Sequence, residues 1–262
     1  NDGKNIMKRS IDWAAGLENK NLLFVVSDPA SLSAKSSGRK TLFESWGYSV
    51  TLIDDNVTQA NFESAAATCD VVYVSPDVSD IALANKLTSA NKGIVNELPG
   101  QIDNFGFCSS TSGTILATGF AQTDVLHYIT LPYGGSAMNV FSLSMAMSVM
   151  GGTVSPSIQN VGEVSGNRSL VALNTGASRW DTGTVPARRT HLPFSSAEIS
   201  NLTTDGETIM LRAIEWASGM GDGTGSGGGG SIIFAEFTEA KRGSNGTSIT
   251  ITKPPGTVKD DL

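Results

Sequence analysis

The amino-acid sequence predicts an α/β domain with a mostly parallel, doubly wound sheet and flanking helices, followed by a C-terminal β-hairpin or strand tail. Three observations support this prediction: short apolar runs alternate with helical stretches, the two ends of the domain repeat each other, and a Gly/Ser-rich linker precedes a β-prone tail. The predicted segments are residues 1–19, a helix left from a preceding repeat; 20–219, the α/β domain; 220–231, the linker; and 232–262, the tail.

The first half of the domain alternates buried strands with helices. The strands are short aliphatic and β-branched runs such as NLLFVVS and DVVYVS. This alternation indicates βαβ units and a parallel sheet. The predicted strands are Asn21–Ser27, Tyr48–Asp54, Asp70–Ser75 and Ile94–Glu97. The predicted helices are Gly38–Trp46, Thr58–Thr68 and Asp80–Ala90, with Asn56 or Thr58 as the N-cap of the second.

The second half is less regular, and it contains one long, weakly polar run. The predicted strands are Thr114–Ala117, Ser157–Val164, Leu170–Asn174 and Arg188–Pro193, with Asp124–Thr130 as a short helix or turn. Ser157–Val164 is a candidate for antiparallel pairing. The run Ala137–Gly152 is too short and too rich in serine to span a bilayer, so we expect a buried helix there. The methionines that would pack on that helix are Met138, Met145, Met147 and Met150.

The two ends of the domain repeat each other. Residues 1–16 read NDGKNIMKRSIDWAAG and residues 204–219 read TDGETIMLRAIEWASG, with nine of sixteen positions identical at an offset of 203. Both segments have the i, i+3, i+4, i+7 apolar spacing of an amphipathic helix. Asp2 and Asp205 stand where an N-cap belongs, and Gly16 and Gly219 where the glycine after a helix belongs.

Repetition at a fixed offset is typical of tandem-repeat proteins. We therefore expect that the chain begins with the last helix of one unit, runs through a complete second unit, and comes from a longer, repetitive protein. The alternative is a single domain with two helices that are similar by coincidence.

Composition restricts the classes of partner. The formal net charge is −7, and the densest basic clusters are Arg188–Arg189 and Lys241–Arg242. Nucleic-acid binding needs clustered Lys and Arg, so no nucleic-acid partner is expected. No window approaches 18 apolar residues, so no membrane span is expected either. An acidic surface rich in Ser, Thr, Asn and Gly suits a secreted or cell-surface protein.

The two cysteines, Cys69 and Cys108, form no CxxC motif and have no metal-ligand spacing. Two buried or half-buried thiols are the favoured interpretation, with a disulfide as the alternative. No GxGxxG follows the first strand, and no GxSxG is present. No cofactor and no metal site are predicted.

A family resemblance emerges from the segments LLFVVSD, ESWGYSVTLIDD, CDVVYVSP and GIVNE, read in that order. Together they resemble the class I glutamine-amidotransferase-like fold, and more narrowly its ThuA-type branch. The late segments ARRTHLPF and LTTDGETIMLRAIEWASG are similar to the closing strand and helix of such domains in large secreted bacterial proteins. The resemblance covers about residues 20–219 and implies a flavodoxin-like fold.

The catalytic residues of that family are missing. Its catalytic members place a cysteine in a Gly-x-Cys-x-Gly turn and carry a later His-x-Glu. Here Cys69 lies in ATCDV and Cys108 in GFCSS, and neither His127 nor His191 is followed by x-Glu. The amidase triad is therefore absent, which argues against an enzyme.

A ligand site is still conceivable at the carboxyl ends of the strands, where open α/β sheets bind ligands. The favoured ligand-binding candidates are Asp28, Ser75, Glu97 and His127. Further polar residues expected there are Ser27, Asp54, Asp55, Asp77 and His191. Carboxylates with an imidazole can hold a metal or transfer protons. Strand-end Asp and Ser also cap helices and turns, and we favour that role.

The tail reads as two strands, Ile232–Ala240 and Thr247–Thr252, joined by a turn at 243–246. It resembles the opening strands of a β-sandwich module of repetitive secreted bacterial proteins. A lone hairpin is marginal in water, so its edges need a partner sheet on this domain or in another copy. The residues expected to mediate assembly are Ile232, Phe234, Phe237, Ile249 and Ile251.

Three functions follow from these patterns. The preferred one is a non-catalytic structural or adhesive repeat whose partners are other copies of itself, joined head-to-tail through the β tail. Contacts of this kind build open filaments. The alternatives are a carbohydrate-active or hydrolytic module that uses the strand-end acids, and a small-ligand-binding domain.

Overall fold

The computed structural model describes residues 20–219, together with residues 241–242 and 249–250. The chain divides into two compact units, a larger one that ends at Asp222 and a smaller one over Gly223–Leu262. The expected helix at 2–16, the linker and most of the predicted tail strands, including Ile232, Phe234, Phe237 and Ile251, lie outside the described residues.

The larger unit is a mixed α/β structure. Its strands are β1 (Asn21–Val26), β2 (Ser49–Asp54), β3 (Val71–Val74), β4 (Gly93–Asn96), β5 (Cys108–Ala117), β6 (Ala121–Gln122), β7 (Met145–Val154), β8 (Gln159–Val164), β9 (Asn167–Leu173) and β10 (Arg189–His191). Its α-helices are α1 (Ala34–Ser45), α2 (Gln59–Ala67), α3 (Asp80–Leu83) and α4 (Thr204–Ala217). Short 3₁₀ turns lie at Pro99–Gln101, Leu131–Tyr133 and Ile199–Asn201.

One eight-stranded sheet organises this unit, in the order β2-β1-β3-β4-β10-β9-β8-β6. The first five strands pair in parallel, as the alternation of strands and helices predicted. The pairs β10–β9, β9–β8 and β8–β6 are antiparallel, which confirms the expectation for Ser157–Val164. Strands β5 and β7 form a separate antiparallel ribbon.

Side chains of the central strands alternate between two cores. Leu22 and Phe24 of β1 face a core that contains residues of α1 and α4. Leu23 and Val25 face a second core, which contains residues of α2 and α3. A strand buried on both faces reads as a continuous apolar run, so NLLFVVS was recognisable as a central strand.

The helices begin at hydroxyl caps. Ser33, Thr58, Ser79 and Thr203 are the N-caps of α1, α2, α3 and α4, and each side chain accepts a backbone N–H three residues ahead. The choice of Thr58 is thus confirmed. The expected cap at Asp205 was wrong, because Asp205 lies inside the first turn of α4. Gly219 does follow the helix with a φ of 102°, as predicted.

Two predicted helices were wrong. The helix expected over Asp80–Ala90 ends at Leu83, because Ala84 has a φ of 46°. The carbonyls of Ala90 and Lys92 then accept hydrogen bonds from the buried Arg189 guanidinium at 2.7 and 2.6 Å. These bonds hold residues 84–92 in turns.

The run Ala137–Gly152 contains a strand instead of the expected helix. Met147 of β7 faces one core and Met150 the other, while Met145 packs at the edge of the first. Met138 lies before the strand and bridges Phe120. Short apolar runs fit a helix and a strand equally well, and here pairing with β5 decides the outcome.

The smaller unit contains one described pair of strands, β11 (Lys241–Arg242) and β12 (Ile249–Thr250). They are antiparallel, with Arg242 opposite Ile249. A hairpin connection was predicted here, although β11 lies just beyond the predicted first strand. Within the described part of the chain, no helix has the length and apolarity to cross a bilayer.

Candidate functional site

The sheet order places the carboxyl ends of β1 and β3 beside a crevice. The chain leaves β1 towards β2 on one side, and β3 lies on the other side of β1. Such a reversal in strand order is where α/β proteins of this topology bind ligands. Ser27 and Asp28 follow β1, Ser75 and Asp77 follow β3, and Glu97 follows β4. The structure therefore brings most of the sequence-predicted residues to one edge.

Asp77 lies beside this crevice, at the N-terminus of α1. Its carboxylate accepts hydrogen bonds from the hydroxyls of Ser33 and Ser36, the latter at 3.2 Å. Ser36 also bonds to the Ser75 hydroxyl at 2.8 Å. The N-terminus of a helix attracts anions through its free N–H groups and its dipole. Here the chain's own carboxylate lies where an anionic ligand would bind.

Glu97 belongs to a buried ion cluster. Its carboxylate accepts a hydrogen bond from Arg39 Nε at 2.9 Å, a second from the terminal nitrogen of Arg39, and one from the Tyr73 hydroxyl. The side chains of Arg39 and Glu97 are both 0% exposed. Arg39 also donates to the carbonyls of Phe194 and Ala197, each at 3.2 Å. The fold thus uses every charged group of this cluster internally.

Electrostatics in the cluster favour the charged pair. Burial opposes the charge of Arg39, but the adjacent Glu97 carboxylate outweighs it and raises the pKa of the guanidinium. Burial, reinforced by Glu97, raises the pKa of Tyr73 well above its usual value. Arg39 therefore stays protonated and Tyr73 stays a neutral hydrogen-bond donor.

A second buried cluster joins His191 to Ser148 and Asn96. His191 Nε2 lies 2.8 Å from Ser148 Oγ, and Nδ1 lies 3.2 Å from Asn96 Nδ2. A hydroxyl, an imidazole and an orienting side chain, hydrogen-bonded in that order, form the arrangement of a nucleophile with its base. The spacing alone would therefore suggest a catalytic triad.

The group that orients the ring differs from that of a Ser-His-Asp triad. Asn96 Oδ1 accepts the Leu98 N–H at 3.0 Å, so Asn96 Nδ2 is the atom that faces the ring. The partner beside the ring is thus an amide nitrogen, which cannot stabilise a protonated imidazole as the carboxylate of a triad does. Burial lowers the pKa of His191 to about 3. The ring is therefore neutral and fully buried.

His127 lies away from the strand-end residues. Its ring packs against Trp216 of α4, with 5.2 Å between ring centroids. Trp216 is near the end of α4, where a Cβ on Gly93, the first residue of β4, would come within 1.8 Å of the Ala217 carbonyl. His127 is therefore at the amino edge of the sheet, opposite Ser75 and Glu97.

The remaining acids cap turns. Asp28 is exposed, and its Oδ1 accepts the Ala30 N–H at 2.8 Å. Asp54 Oδ1 accepts the Asn56 N–H at 2.7 Å, and Asp55 Oδ2 accepts the Ser79 N–H at 2.6 Å. Burial raises the pKa of Asp55. These contacts match the capping role that we favoured for strand-end acids.

Metal and thiol chemistry find no support among the described residues. No group of three or more His, Cys, Asp and Glu side chains gathers there in a way that could hold a metal ion. Cys69 and Cys108 are both buried free thiols, and burial raises the pKa of each. A raised pKa keeps a thiol protonated and unreactive.

The described cavities lie away from the crevice. One, of about 350 Å³, lies between α2 and residues 86–92. Another, of about 420 Å³, is lined by residues 117–121, 137–139 and 163–165. Neither includes a sequence-predicted ligand residue.

The sequence alone did not reveal the side chains that form hydrogen bonds with the predicted site residues. Arg39, Tyr73, Ser148 and Asn96 stand alone in ordinary helix or strand patterns, and no spacing rule connects them to Glu97 or His191. No protein-family model and no curated protein sequence matches the chain. Function must therefore be argued from the contacts themselves.

Proposed function

We propose that this chain is a non-catalytic structural or adhesive repeat of a larger secreted or cell-surface protein. Its body is a doubly wound α/β domain of the amidotransferase-like kind, and it joins other copies head-to-tail through its β tail. In this role the body is a spacer of fixed shape, and the contacts between copies carry the function.

One observation carries the proposal: the repeated residues are the ones that hold α4 in place. Seven residues of α4 are buried, and six of them are identical at the matching positions of residues 1–16. The six identical residues are Gly206, Ile209, Met210, Ile214, Trp216 and Ala217. Amphipathicity alone would give apolar residues at the buried positions, but it would not require the same glycine, methionine and tryptophan there. The pattern is expected if residues 1–16 close another unit of the same fold.

The strand-end residues support a non-catalytic role. Asp77 is held by serine hydroxyls, Glu97 by Arg39 and Tyr73, and His191 by Ser148 and Asn96. A hydrolytic or ligand-binding module needs such groups to face a substrate. The enzyme and ligand-binding alternatives are thereby weakened at these three residues.

Open sheet edges support assembly through added strands. β2 is the first strand of the sheet, and no described strand pairs with its outer edge. It is paired residue for residue with β1, without a bulge. An edge strand presents unpaired N–H and C=O groups and readily accepts another strand. β5, by contrast, carries two register irregularities, a feature that blunts edges.

The experiment compares assembly of the full chain with that of two charge-matched variants. Light scattering and electron microscopy at rising concentration would follow the wild type, Ile249→Asp and Thr257→Asp. We expect filaments or polymers from the wild type and Thr257→Asp, and far fewer from Ile249→Asp, because Ile249 lies in β12. A wild type that stays monomeric at all concentrations would contradict the proposal.

A further inference from the structure

The surface that holds α4, here called the α4 groove, selects one particular helix. It consists of β3, β4 and β10 beneath the helix, Tyr128 and Val140 beside it, and Gly93 at its end. A Cβ on Gly206 would come within 2.3 Å of the Val140 carbonyl, so the helix needs glycine there. Arg212 Nε donates to the Tyr128 carbonyl at 2.7 Å. A helix that fits this groove must have a glycine and an arginine at these two positions, and apolar side chains that face the strands beneath it.

Residues 1–16 satisfy each requirement. Gly3 matches Gly206 and Arg9 matches Arg212. The floor residues Ile209, Met210 and Ile214, each 0% exposed, recur at the offset of 203. The recurring residues are Ile6, Met7 and Ile11.

The differences between the two segments fall almost entirely outside the groove. Of the seven positions that differ, only Ala213 is buried in α4, and it matches Ser10. A helical serine can bond back to the carbonyl one turn earlier, so its hydroxyl need not remain unsatisfied. Leu211, which is half-buried, matches Lys8. These two differences make residues 1–16 a slightly poorer fit than α4.

The connection to β1 allows residues 1–16 to reach the groove of their own chain. α4 ends at the amino edge of the sheet, where β1 begins. Lys20, which precedes β1, lies with its Nζ 3.9 Å from the Glu215 carboxylate of α4. A helix packed on a sheet lies about 10 Å above it, and β4 is two strand spacings, about 10 Å, to the side of β1. The end of a helix in the groove is therefore roughly 14 Å from the start of β1. Residues 17–20 span up to about 17 Å between Gly16 and Asn21.

We propose that residues 1–16 are a second occupant of the α4 groove within the same chain, so that the domain closes with either of two helices. The proposal rests on the proposed function, which assigns residues 1–16 as the closing helix of another unit of the same fold. α4 is the favoured occupant. When residues 1–16 take its place, α4 is released from the groove.

The test disables α4 in the full chain and asks whether residues 1–16 replace it. Ile209→Asp with Ile214→Asp places two charges on the groove side of α4. In the Ile249→Asp background, which suppresses assembly through the tail, we expect this double variant to remain a folded monomer that unfolds cooperatively at a lower temperature. Adding Ile6→Asp with Ile11→Asp should abolish the cooperative transition. The matched control, Ile6→Asp with Ile11→Asp alone, should melt like the wild type, because α4 is intact.

A strengthened variant makes the test decisive. Lys8→Leu with Ser10→Ala makes residues 1–16 match α4 at its half-buried and buried positions, and should raise the melting temperature of the α4-disabled protein. If that protein stays unfolded even then, or folds only as a dimer by light scattering, the proposal is overturned. It is also overturned if the four Asp substitutions together melt like the two in α4. Wild-type assembly is measured separately, so a failure of the proposed function is recognised by its own experiment.

Discussion

The carboxyl edge of the sheet and the α4 groove bury different kinds of residue. At the carboxyl edge, the buried residues are those from which active sites are built, namely Arg39, Glu97 and His191, all 0% exposed. Arg39 and Glu97 bond to each other, and His191 bonds to Ser148 and Asn96. Where α4 packs in its groove, the buried residues are apolar side chains, together with glycines that lie close to backbone carbonyls. Six of the seven buried residues of α4 itself recur in residues 1–16.

This contrast teaches that residue chemistry and residue role are separate matters. A carboxylate at a strand end suggests a reaction only while it can face a substrate. Here the buried carboxylate of Glu97 is held by Arg39 and Tyr73, while ordinary residues of α4 are the ones that recur in residues 1–16. The predictions below test each side of the contrast in turn.

The largest effect is expected from breaking the Arg39–Glu97 pair. Glu97→Leu leaves a buried, unpaired guanidinium and should lower the free energy of unfolding by about 3–5 kcal/mol. Replacing both residues, Arg39→Met with Glu97→Leu, should recover much of that loss. Urea unfolding at pH 7, followed by circular dichroism, measures all three proteins. A single variant as stable as the wild type would show that the pair is not structural.

Acid should destabilise the protein through His191. Burial lowers the pKa of His191 to about 3, whereas a histidine in the unfolded chain titrates near 6.5. The unfolded state therefore binds the extra proton, and stability is complete above pH ~6.5. It should fall as the pH drops towards ~3, by about 1.4 kcal/mol per pH unit.

The control for that prediction is His191→Gln. It removes the titrating group, so its stability should fall less steeply between pH 6 and 4, whatever its stability at pH 7. Chemical unfolding at several pH values gives both curves. Parallel curves would mean that His191 is not held neutral by the fold.

The close packing of α4 in its groove can be tested by adding one methyl group at Gly206. Alanine normally stabilises a helix by about 1 kcal/mol relative to glycine. Gly206→Ala should instead destabilise by about 1–3 kcal/mol, because the added Cβ meets the Val140 carbonyl. Thr208→Ala, two residues further along the same helix, is the control and should be nearly neutral. A stabilising Gly206→Ala would contradict the close packing of α4.

The smallest effect is expected in the crevice. Asp77→Ala removes the carboxylate that accepts from Ser33 and Ser36 at the start of α1, and should cost about 1 kcal/mol. The exposed Asp28→Ala should change stability by less than about 0.5 kcal/mol. Thermal melts of the two variants compare them directly. Equal effects would mean that Asp77 has no special place in the crevice.

The sequence predicted the parallel half of the sheet because its strands are buried on both faces and read as apolar runs. It failed where pairing or a single backbone angle decides, as in β7 and at Ala84. It grouped Ser75 and Glu97 at one edge because parallel strands end together. It could not supply Arg39 or Ser148, since each reaches its partner across 58 or 43 residues of chain. Long-range pairs of single residues leave no local pattern.

The central claim, that residues 1–16 are a closing helix of this fold, is tested most directly by transplantation. In the chimera, residues 204–219 carry the sequence NDGKNIMKRSIDWAAG in place of their own. The predicted result is a cooperatively unfolding protein within about 2 kcal/mol of the wild type, because Ala213→Ser is the one buried change. An unfolded chimera, no more stable than one with a scrambled helix of the same composition, would contradict the account.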